Sequence, residues 1–364
     1  MATRTEKMTN HLLCPRPYPG KISLVMPMYN EEAIVPVLRA ELERFIASLA
    51  CEVEIVLVND GSSDRTLERI ADWASEDSRI KVVHLSRNFG HQLAATAGLD
   101  YAAGNAIVLI DADLQDPLEA IHEMVERYRE GYDVVYGQRE ARVGETRFKL
   151  ATAWAFYRVM RLLTQAQLPV DAGDFRLLSR QFRDGLASMR ETHRFLRGMV
   201  AWAGYPQIAV RYRRRERTAG ATKYPLRKMA RLAWTAVTSF SSLPLKFSFG
   251  LGMVFGLFGI EEAVRALLAH FLGKQTVPGW ISLMVVTSLI GSALLMSISV
   301  LGEYVGKIYE QVKGRPLYLV ARTFNVEEPA REGALARSSN QPFTQSAVHT
   351  DPVIMPGGQR LPPT

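Results

Sequence analysis

The chain has 364 residues, with 44 Lys or Arg against 37 Asp or Glu, so its formal net charge is +7. This length allows one sizeable domain with attached segments. The basic excess lies on either side of the most apolar part of the chain. The sequence has neither the ligand spacing of a zinc site nor an alternation of basic and aromatic residues, which argues against nucleic-acid binding. Two cysteines, Cys14 and Cys51, are too few for a disulfide framework, which favours a reducing compartment.

Residues 1–20 are polar, contain three prolines and lack the long apolar run of a signal peptide, so we predict a flexible arm there. From residue 21, apolar runs of strand length alternate with helical patterns through short loops. This alternation predicts an α/β domain over residues 21–225, with a mostly parallel sheet covered on both faces. The predicted strands are 22–26, 53–58, 80–85, 107–110, 133–136 and 208–212. The predicted helices are 31–50, 64–75, 91–103 and 117–129. A Gly-x-Gly-x-x-Gly fingerprint and a P-loop are absent, which disfavours hydride transfer and P-loop phosphate binding.

Acidic residues follow three of these strands. Glu31 follows the first, Asp60 the second, and Asp111 and Asp113 the fourth, together with the amide side chain of Gln115. The carboxyl ends of parallel strands share the edge where open α/β sheets bind ligands. The two aspartates of Asp-Ala-Asp can reach one ion only if the backbone turns between them. Their oxygens suit Mg²⁺ or Mn²⁺, and hence a diphosphate. Each acidic residue taken alone is also an ordinary helix cap or turn residue.

The stretch 141–225 is less regular. Residues 148–163 have the pattern of an amphipathic helix, and residues 171–176 read as a turn that leads into another helix. Residues 213–223 form a strongly basic loop. The following stretch, 226–240, mixes basic and apolar residues in the manner of a helix lying on an anionic membrane surface.

Two apolar segments come next, at about 243–270 and 277–302. The second is free of charged residues from 275 to 302 and long enough to span a bilayer, which takes about 20 residues. The first has a shorter uncharged centre, so a re-entrant or interfacial segment is the alternative. Basic clusters before the first segment and after the second predict a transmembrane hairpin over 241–303 with both ends cytoplasmic. This places a multi-pass protein in the cytoplasmic membrane, with a cytosolic catalytic domain and a tail, 304–364, that is disordered after about residue 325.

Six ordered motifs carry a family resemblance over roughly residues 21–315. They are PMYNEE, VNDGSSDRT, SRNFGHQLAATAGLDYAAG, DADLQDP, GDFRLLSR and AGATKYPLRK. These motifs resemble family 2 glycosyltransferases of the GT-A fold, in particular the polyprenyl-phosphate hexosyltransferases that use dolichol or undecaprenyl phosphate. The paired apolar segments resemble the bactoprenol glucosyltransferase branch.

The resemblance implies roles for individual residues. Nucleotide-sugar binding falls to Pro27, Tyr29, Glu31, Asp60 and Asp111. By the same resemblance, the side chains of Asp111, Asp113 and Gln115 bind Mg²⁺ or Mn²⁺. Catalytic positions are Asp113, Asp171, Asp174 and Arg139, the last near the phosphates. Acceptor-phosphate binding falls to Arg215, Arg217 and Lys223 in the basic loop. Leu118 stands where the family often has a second proline, and we expect little consequence.

The implied reaction is the inverting transfer of a hexose from a nucleotide sugar to a polyprenyl phosphate. UDP-glucose is the favoured donor, with GDP-mannose and UDP-aminosugars as alternatives. A processive polysaccharide synthase is a weaker alternative because two spans make a poor polymer channel. A non-enzymatic scaffold is disfavoured by the intact Asp111/Asp113 pair. The implied partners are the donor, the lipid phosphate and the membrane, without nucleic acid, and the paired helices could support a homo-oligomer.

Overall fold

The computed structural model describes residues 13–139, 172–214, 243–272 and 280–326. Within these ranges the chain forms eight strands and eight helices, and all the strands belong to one sheet. The strands are β1 (Lys21–Met28), β2 (Glu52–Asn59), β3 (Ile80–Leu85), β4 (Ala106–Leu109), β5 (Val134–Arg139), β6 (Ala172–Ser179), β7 (Gln207–Tyr212) and β8 (Val320–Phe324). The helices are α1 (Val35–Ile46), α2 (Thr66–Glu76), α3 (His91–Tyr101), α4 (Ala120–Arg129), α5 (Arg180–Ser188), α6 (Leu196–Trp202), α7 (Leu243–Phe271) and α8 (Trp280–Val312).

The sheet separates two hydrophobic cores. Along β1, Leu24 and Met26 belong to one cluster of buried side chains and Val25 belongs to the other. This alternation follows from the two-residue period of a strand, and both faces are apolar because helices cover both. Gly98 of α3 lies so close to Val25 that an added Cβ would collide with it, so this helix packs directly on the sheet.

The strand order is β7-β5-β6-β4-β1-β2-β3-β8. Strands β1 to β4 are parallel to one another, and β7 is parallel to β5. Strand β6 is antiparallel to both β4 and β5, and β8 is antiparallel to β3. The sheet is therefore mixed. Four of its seven strand pairings are parallel, which agrees with the prediction of a mostly parallel sheet, whereas the antiparallel strands β6 and β8 were not predicted.

The segment that we interpreted as a turn before a helix is in fact the start of β6. Gly173 and Asp174 have turn composition, but the residues after them alternate between the two cores. Phe175 and Leu177 pack in one cluster and Leu178 in the other. Burial on both faces therefore outweighs the local turn preference of the first residues.

The predicted arm is described from residue 13, and this part lies against the domain. The Arg16 guanidinium donates to the Asp133 carboxylate at 2.6 Å, and the Arg16 N–H donates to the carbonyl of Arg129. Cys14 lies against Gly131, where a side chain on the glycine would collide with its backbone.

Two long helices follow the sheet domain, and α7 lies against α8. Across the residues that the structure describes, one helical segment is long and apolar enough to cross a membrane, Leu289–Val312, with none of it buried. The apolar part of α7, Phe247–Glu261, is shorter. The two-span hairpin is therefore not confirmed, and the predicted interfacial helix at 226–240 lies outside the described residues.

The last turn of α8 and the segment after it return to the sheet domain. Gln311 exchanges hydrogen bonds with the loop between α5 and α6, accepting from the Thr192 N–H at 2.8 Å. The Tyr318 hydroxyl donates to Asp100 at 2.8 Å. After β8, the Asn325 amide donates to backbone carbonyls at the end of α2 and the start of β3. We call residues 311–325 the return segment.

Glu54 is the most enclosed carboxylate near the amino ends of the parallel strands. Its side chain is 2% exposed and accepts from Lys81 at 2.6 Å, from Ser23 and from the Ala103 N–H, with Lys21 at 3.3 Å. Burial alone would raise the pKa of Glu54, but the hydrogen bonds from Lys81 and Ser23 hold it below its ordinary value.

Replacing Glu54 with Gln should lower the free energy of unfolding by about 2 kcal/mol near neutral pH, because Lys81 loses its charged partner. A carboxylate with a lowered folded-state pKa stabilises the fold above its unfolded pKa of about 4.3 and loses this contribution as pH falls further. The difference in the free energy of unfolding between Glu54→Gln and the wild type should therefore become smaller at acid pH. Thermal unfolding of the full chain in detergent measures this, with the exposed neighbour Glu52→Gln as control. A difference that is unchanged at acid pH would contradict the assignment.

Candidate active site

The carboxyl ends of β1, β2 and β4 meet at one edge of the sheet because these strands are parallel. Strand β6 runs the opposite way, and its Arg176 lies opposite Leu109 of β4. The beginning of β6 is therefore beside the end of β4. Strands β5 and β7 end at the same edge, where Arg139 lies opposite Tyr212. We call this the catalytic edge.

The loops after β1 and β2 are tied together by side-chain hydrogen bonds. The Asn30 side chain accepts from the Ser63 N–H at 2.8 Å, and Asn30 itself has a φ of 53°. Glu32 accepts from the Arg65 N–H at 2.9 Å, and Asp64 accepts from the Glu32 N–H at 3.2 Å. Each loop thus fixes the other.

The predicted nucleotide-binding residues of the first loop differ in exposure. Pro27 is buried within β1, whereas the Tyr29 side chain is 48% exposed. Glu31 is half-buried, and its N–H donates to the Thr66 hydroxyl at 2.9 Å. Tyr29 and Glu31 therefore lie on the first loop at the catalytic edge with part of their surface accessible to a ligand.

Asp60 is buried and holds the loop between β3 and α3. Its two carboxylate oxygens accept from the N–H groups of Phe89 at 2.7 Å and Gly90 at 2.9 Å. Burial raises the pKa of Asp60, and these two hydrogen bonds act in the opposite direction. The next residue, Gly61, has a φ of 64°, and an added Cβ would collide with the Arg87 backbone. Only a glycine fits where these loops meet.

The backbone turns at Ala112 and Asp113, directly after β4, which is where a shared site for Asp111 and Asp113 requires a turn. Leu114 has a φ of 55°, in the left-handed region that is uncommon for a residue with a side chain. Asp113 accepts from the N–H of Gln115 at 3.2 Å, and the Gln115 side chain is buried. The turn therefore keeps both aspartates at the catalytic edge.

Asp111 lies among other carboxylates. Its side chain remains 32% exposed, yet the surrounding protein raises the pKa of Asp111 by desolvation. The charges of Asp174 and Asp113 raise it further, and only the nearby His91 counteracts them among the main contributors. His91 Nε2 is 3.6 Å from Asp111 and 3.4 Å from Asp174, so this imidazole bridges the two.

Asp174 is surrounded by cations. Arg197 donates to it through two nitrogens, at 2.8 and 3.2 Å, and the buried Arg176 lies at 3.7 Å. Gln92 of α3 donates weakly to Asp174 at 3.5 Å and accepts from the Leu196 N–H at 3.0 Å. Burial alone would raise the pKa of Asp174, but His91 and Arg197 hold it well below its ordinary range. Burial lowers the pKa of Arg176 to about 10, which leaves it charged at neutral pH.

A second polar chain runs through Asp116. The Tyr212 hydroxyl donates to Asp116 at 2.6 Å and accepts from Arg139 at 3.2 Å. Arg214 lies 3.6 Å from Asp116 and 3.9 Å from Asp113. Burial raises the pKa of Tyr212, and the charge of Asp116 raises it further, so the hydroxyl remains protonated and can donate.

Comparisons with known proteins agree with this geometry. The family model described as glycosyl transferase family 2 matches residues 23–186. The uncharacterized glycosyltransferase YkcC of Bacillus subtilis is 44% identical over 84% of this chain and 94% of its own. The chain belongs to glycosyl transferase family 2.

Relatives with a more specific description match this family 2 glycosyltransferase over a similar length. The prophage bactoprenol glucosyl transferase homolog of Escherichia coli is 37% identical over 83% of this chain and 99% of its own. The bactoprenol glucosyl transferase of Shigella phage SfII is 36% identical over 83% of this chain and 98% of its own. Both comparisons extend well beyond the residues of the family model.

Most predicted site residues of the glycosyltransferase lie at the catalytic edge. They are Pro27, Tyr29, Glu31, Asp60, Asp111, Asp113, Gln115, Arg139 and Asp174. The remaining four, Asp171, Arg215, Arg217 and Lys223, lie outside the described residues. Within the described ranges, no group of three or more His, Cys, Asp or Glu side chains is arranged to hold a metal ion. The predicted metal set has two carboxylates and one amide, so its role stays a prediction.

Several residues that lie beside the predicted side chains of this glycosyltransferase site were not predicted from the sequence, among them His91, Arg176, Arg197, Tyr212 and Arg214. His91 lies within a motif that supported the family resemblance, but nothing in its local pattern distinguished it from a helix residue. Arg197 reaches the site through the pairing of β4 with β6 and the position of α6. Such long-range contacts leave no local sequence signal.

Replacing Asp60 with Asn should free the loop at Phe89 and Gly90. The amide has one oxygen, so one N–H loses its acceptor, which costs about 1–3 kcal/mol. We expect lower thermal stability together with weaker binding of nucleoside diphosphate, measured by calorimetry on the full chain. Asp72→Asn, an exposed carboxylate of α2, is the control. Unchanged stability and unchanged binding would contradict the role given to Asp60.

Proposed function

We propose that this glycosyltransferase transfers a hexose from a nucleotide sugar to a polyprenyl phosphate with inversion, and that the donor is UDP-glucose. The observation that carries the proposal is the convergence of Asp60, Asp111 and Asp113 at the carboxyl edge of a family 2 domain. The bactoprenol glucosyl transferases among the relatives support the acceptor and the sugar.

The residues after β4 fit a divalent cation. Asp111 and Asp113 lie close enough that the charge of Asp113 contributes to the raised pKa of Asp111. They face His91 and Arg214 at 3.6 and 3.9 Å, beyond ordinary hydrogen-bond distances. Asp111, Asp113 and Gln115 would hold Mg²⁺ or Mn²⁺. A cation bound there supplies electrostatic stabilisation of the departing diphosphate.

The acceptor phosphate attacks C1 of the sugar, and the bond from C1 to the nucleoside diphosphate breaks. A phosphate monoester has its second pKa near 6, so it is largely ionised at pH 7 and needs little help from a general base. Asp174 is paired with Arg197 and His91, and its pKa lies far below neutral. It is therefore a poor proton acceptor, and its role is to hold cations in place.

We also propose that α7 and α8 form a transmembrane hairpin with the catalytic domain in the cytosol. The apolar composition of both helices, their contact with each other and the basic residues at 307, 313 and 315 support this arrangement. Arg215, Arg217 and Lys223 precede the hairpin in sequence, which suits binding of a lipid phosphate at the membrane surface.

Membranes that contain the protein should form one labelled glycolipid when they receive polyprenyl phosphate and a panel of labelled nucleotide sugars. We expect label from UDP-glucose and little from GDP-mannose or UDP-N-acetylhexosamines. Thin-layer chromatography of the lipid extract measures this, with membranes lacking the protein as control. If another nucleotide sugar labels the lipid, that sugar is the donor and the proposal of UDP-glucose is wrong. If no labelled lipid forms, the proposal that a polyprenyl phosphate is the acceptor is wrong.

Replacing Asp113 with Ala should abolish turnover that depends on a divalent cation, because one of two carboxylate ligands is lost. We expect a decrease of at least about 100-fold, as when a transition-state electrostatic group is removed. Release of nucleoside diphosphate in a Mg²⁺ or Mn²⁺ titration measures it. Asp72→Ala serves as the matched control, and the amount of protein in the membrane fraction should be equal for both. Retained activity in Asp113→Ala would exclude this assignment.

A further inference from the structure

Arg197 is oriented toward the catalytic edge by the carboxylate of Asp174. The two side chains make a two-point contact through Nε at 2.8 Å and Nη2 at 3.2 Å. A planar guanidinium held at two points has a fixed direction, unlike a single lysine ammonium. The Arg197 side chain nevertheless remains 37% exposed, so it is not sealed in the core.

Arg197 belongs to a group of cations around one carboxylate. Arg176 lies 3.7 Å and His91 3.4 Å from Asp174, and the charge of Arg197 acts on both. Asp174 contributes one negative charge, whereas two guanidinium groups contribute two positive charges. The two guanidinium groups therefore exceed the charge of Asp174 itself, while Asp111 lies on the other side of His91, at 3.6 Å from it.

Arg139 lies beside the residue that precedes Asp174. Its guanidinium lies over Gly173, where an added Cβ would come within 3.1 Å of Nη2. Arg139 and Arg197 thus contact two consecutive residues of β6, Gly173 and Asp174. Two neighbouring arginines match the geometry of a phosphoryl group, which accepts several charge-assisted hydrogen bonds at once.

We infer that Arg197 is a phosphoryl-binding residue of the active site, acting beside Arg139 and held in direction by Asp174. The inference rests on the proposed function, because both substrates of that reaction carry phosphoryl groups. The chemistry is shared by the diphosphate of the donor and the phosphate of the lipid. Arg197 would thus add a binding residue from α6 to the loops that follow the strands.

The test compares Arg197→Ala and Arg197→Lys with the wild type in the full chain. Binding of UDP and GDP is measured by calorimetry, and KM for polyprenyl phosphate is measured at saturating nucleotide sugar. Arg197→Ala should raise one of these constants by about 10- to 100-fold, which corresponds to the loss of one or two charge-assisted hydrogen bonds. Arg197→Lys should give a smaller rise, because it keeps the charge and loses the two-point contact with Asp174.

Arg127→Ala is the matched control. Arg127 has the same exposed fraction, 37%, and pairs with Glu130 at 2.9 Å on α4, away from the catalytic edge. Its substitution should leave the affinities for nucleoside diphosphate and lipid phosphate unchanged.

The result assigns the source of the phosphoryl group. Weaker nucleotide binding assigns Arg197 to the donor, and a raised KM for the lipid alone assigns it to the acceptor. If both constants stay within about 2-fold of the wild type, or if only kcat falls, Arg197 has a structural role and the inference is overturned. If Arg197→Ala lowers the thermal stability of the protein, the same two constants are compared between Arg197→Lys and the wild type instead. If the wild type glycosylates no lipid phosphate, the proposed function is refuted. The role of Arg197 can still be tested in that case, because nucleotide binding does not require the lipid.

Discussion

The antiparallel pairing of β6 with β4 is the constraint on which the active site depends. Because Arg176 lies opposite Leu109, the start of β6 comes to the end of β4, and Asp174 lies near Asp111. A parallel β6 would place Asp174 at the opposite edge of the sheet. The burial of Phe175, Leu177 and Leu178 fixes this register, since a slip by one residue would exchange the two faces of the strand.

The electrostatic arrangement of the edge follows from this pairing. Four aspartates lie near one another, namely Asp111, Asp113, Asp116 and Asp174. Basic side chains from α3, β6, α6 and the loop after β7 lie beside them. His91 stands between Asp111 and Asp174, and Arg214 stands near Asp113 and Asp116. An edge that mixes carboxylates with cations in this way suits substrates that carry both a metal-binding diphosphate and a separate phosphate.

Local sequence pattern was sufficient for the strands β1 to β5 and for the acidic residues that follow β1, β2 and β4. It was also sufficient for the family, because six motifs occur in the right order. It failed at β6, where Gly173 and Asp174 have turn composition and burial decides the structure. It failed again at β8, which the pattern placed in a polar tail although it pairs with β3. It missed Arg197 and Tyr212 because tertiary packing brings them to the site.

The return segment has a consequence for the biosynthesis of the protein. Strand β8 closes the edge of the sheet at β3, yet it follows both long apolar helices in the chain. The ribosome must therefore complete α7 and α8 before the last strand emerges. Until then, β3 presents unpaired backbone groups, which invite pairing with a foreign strand. A nascent chain that stalls within α8 would thus carry an open sheet edge at β3.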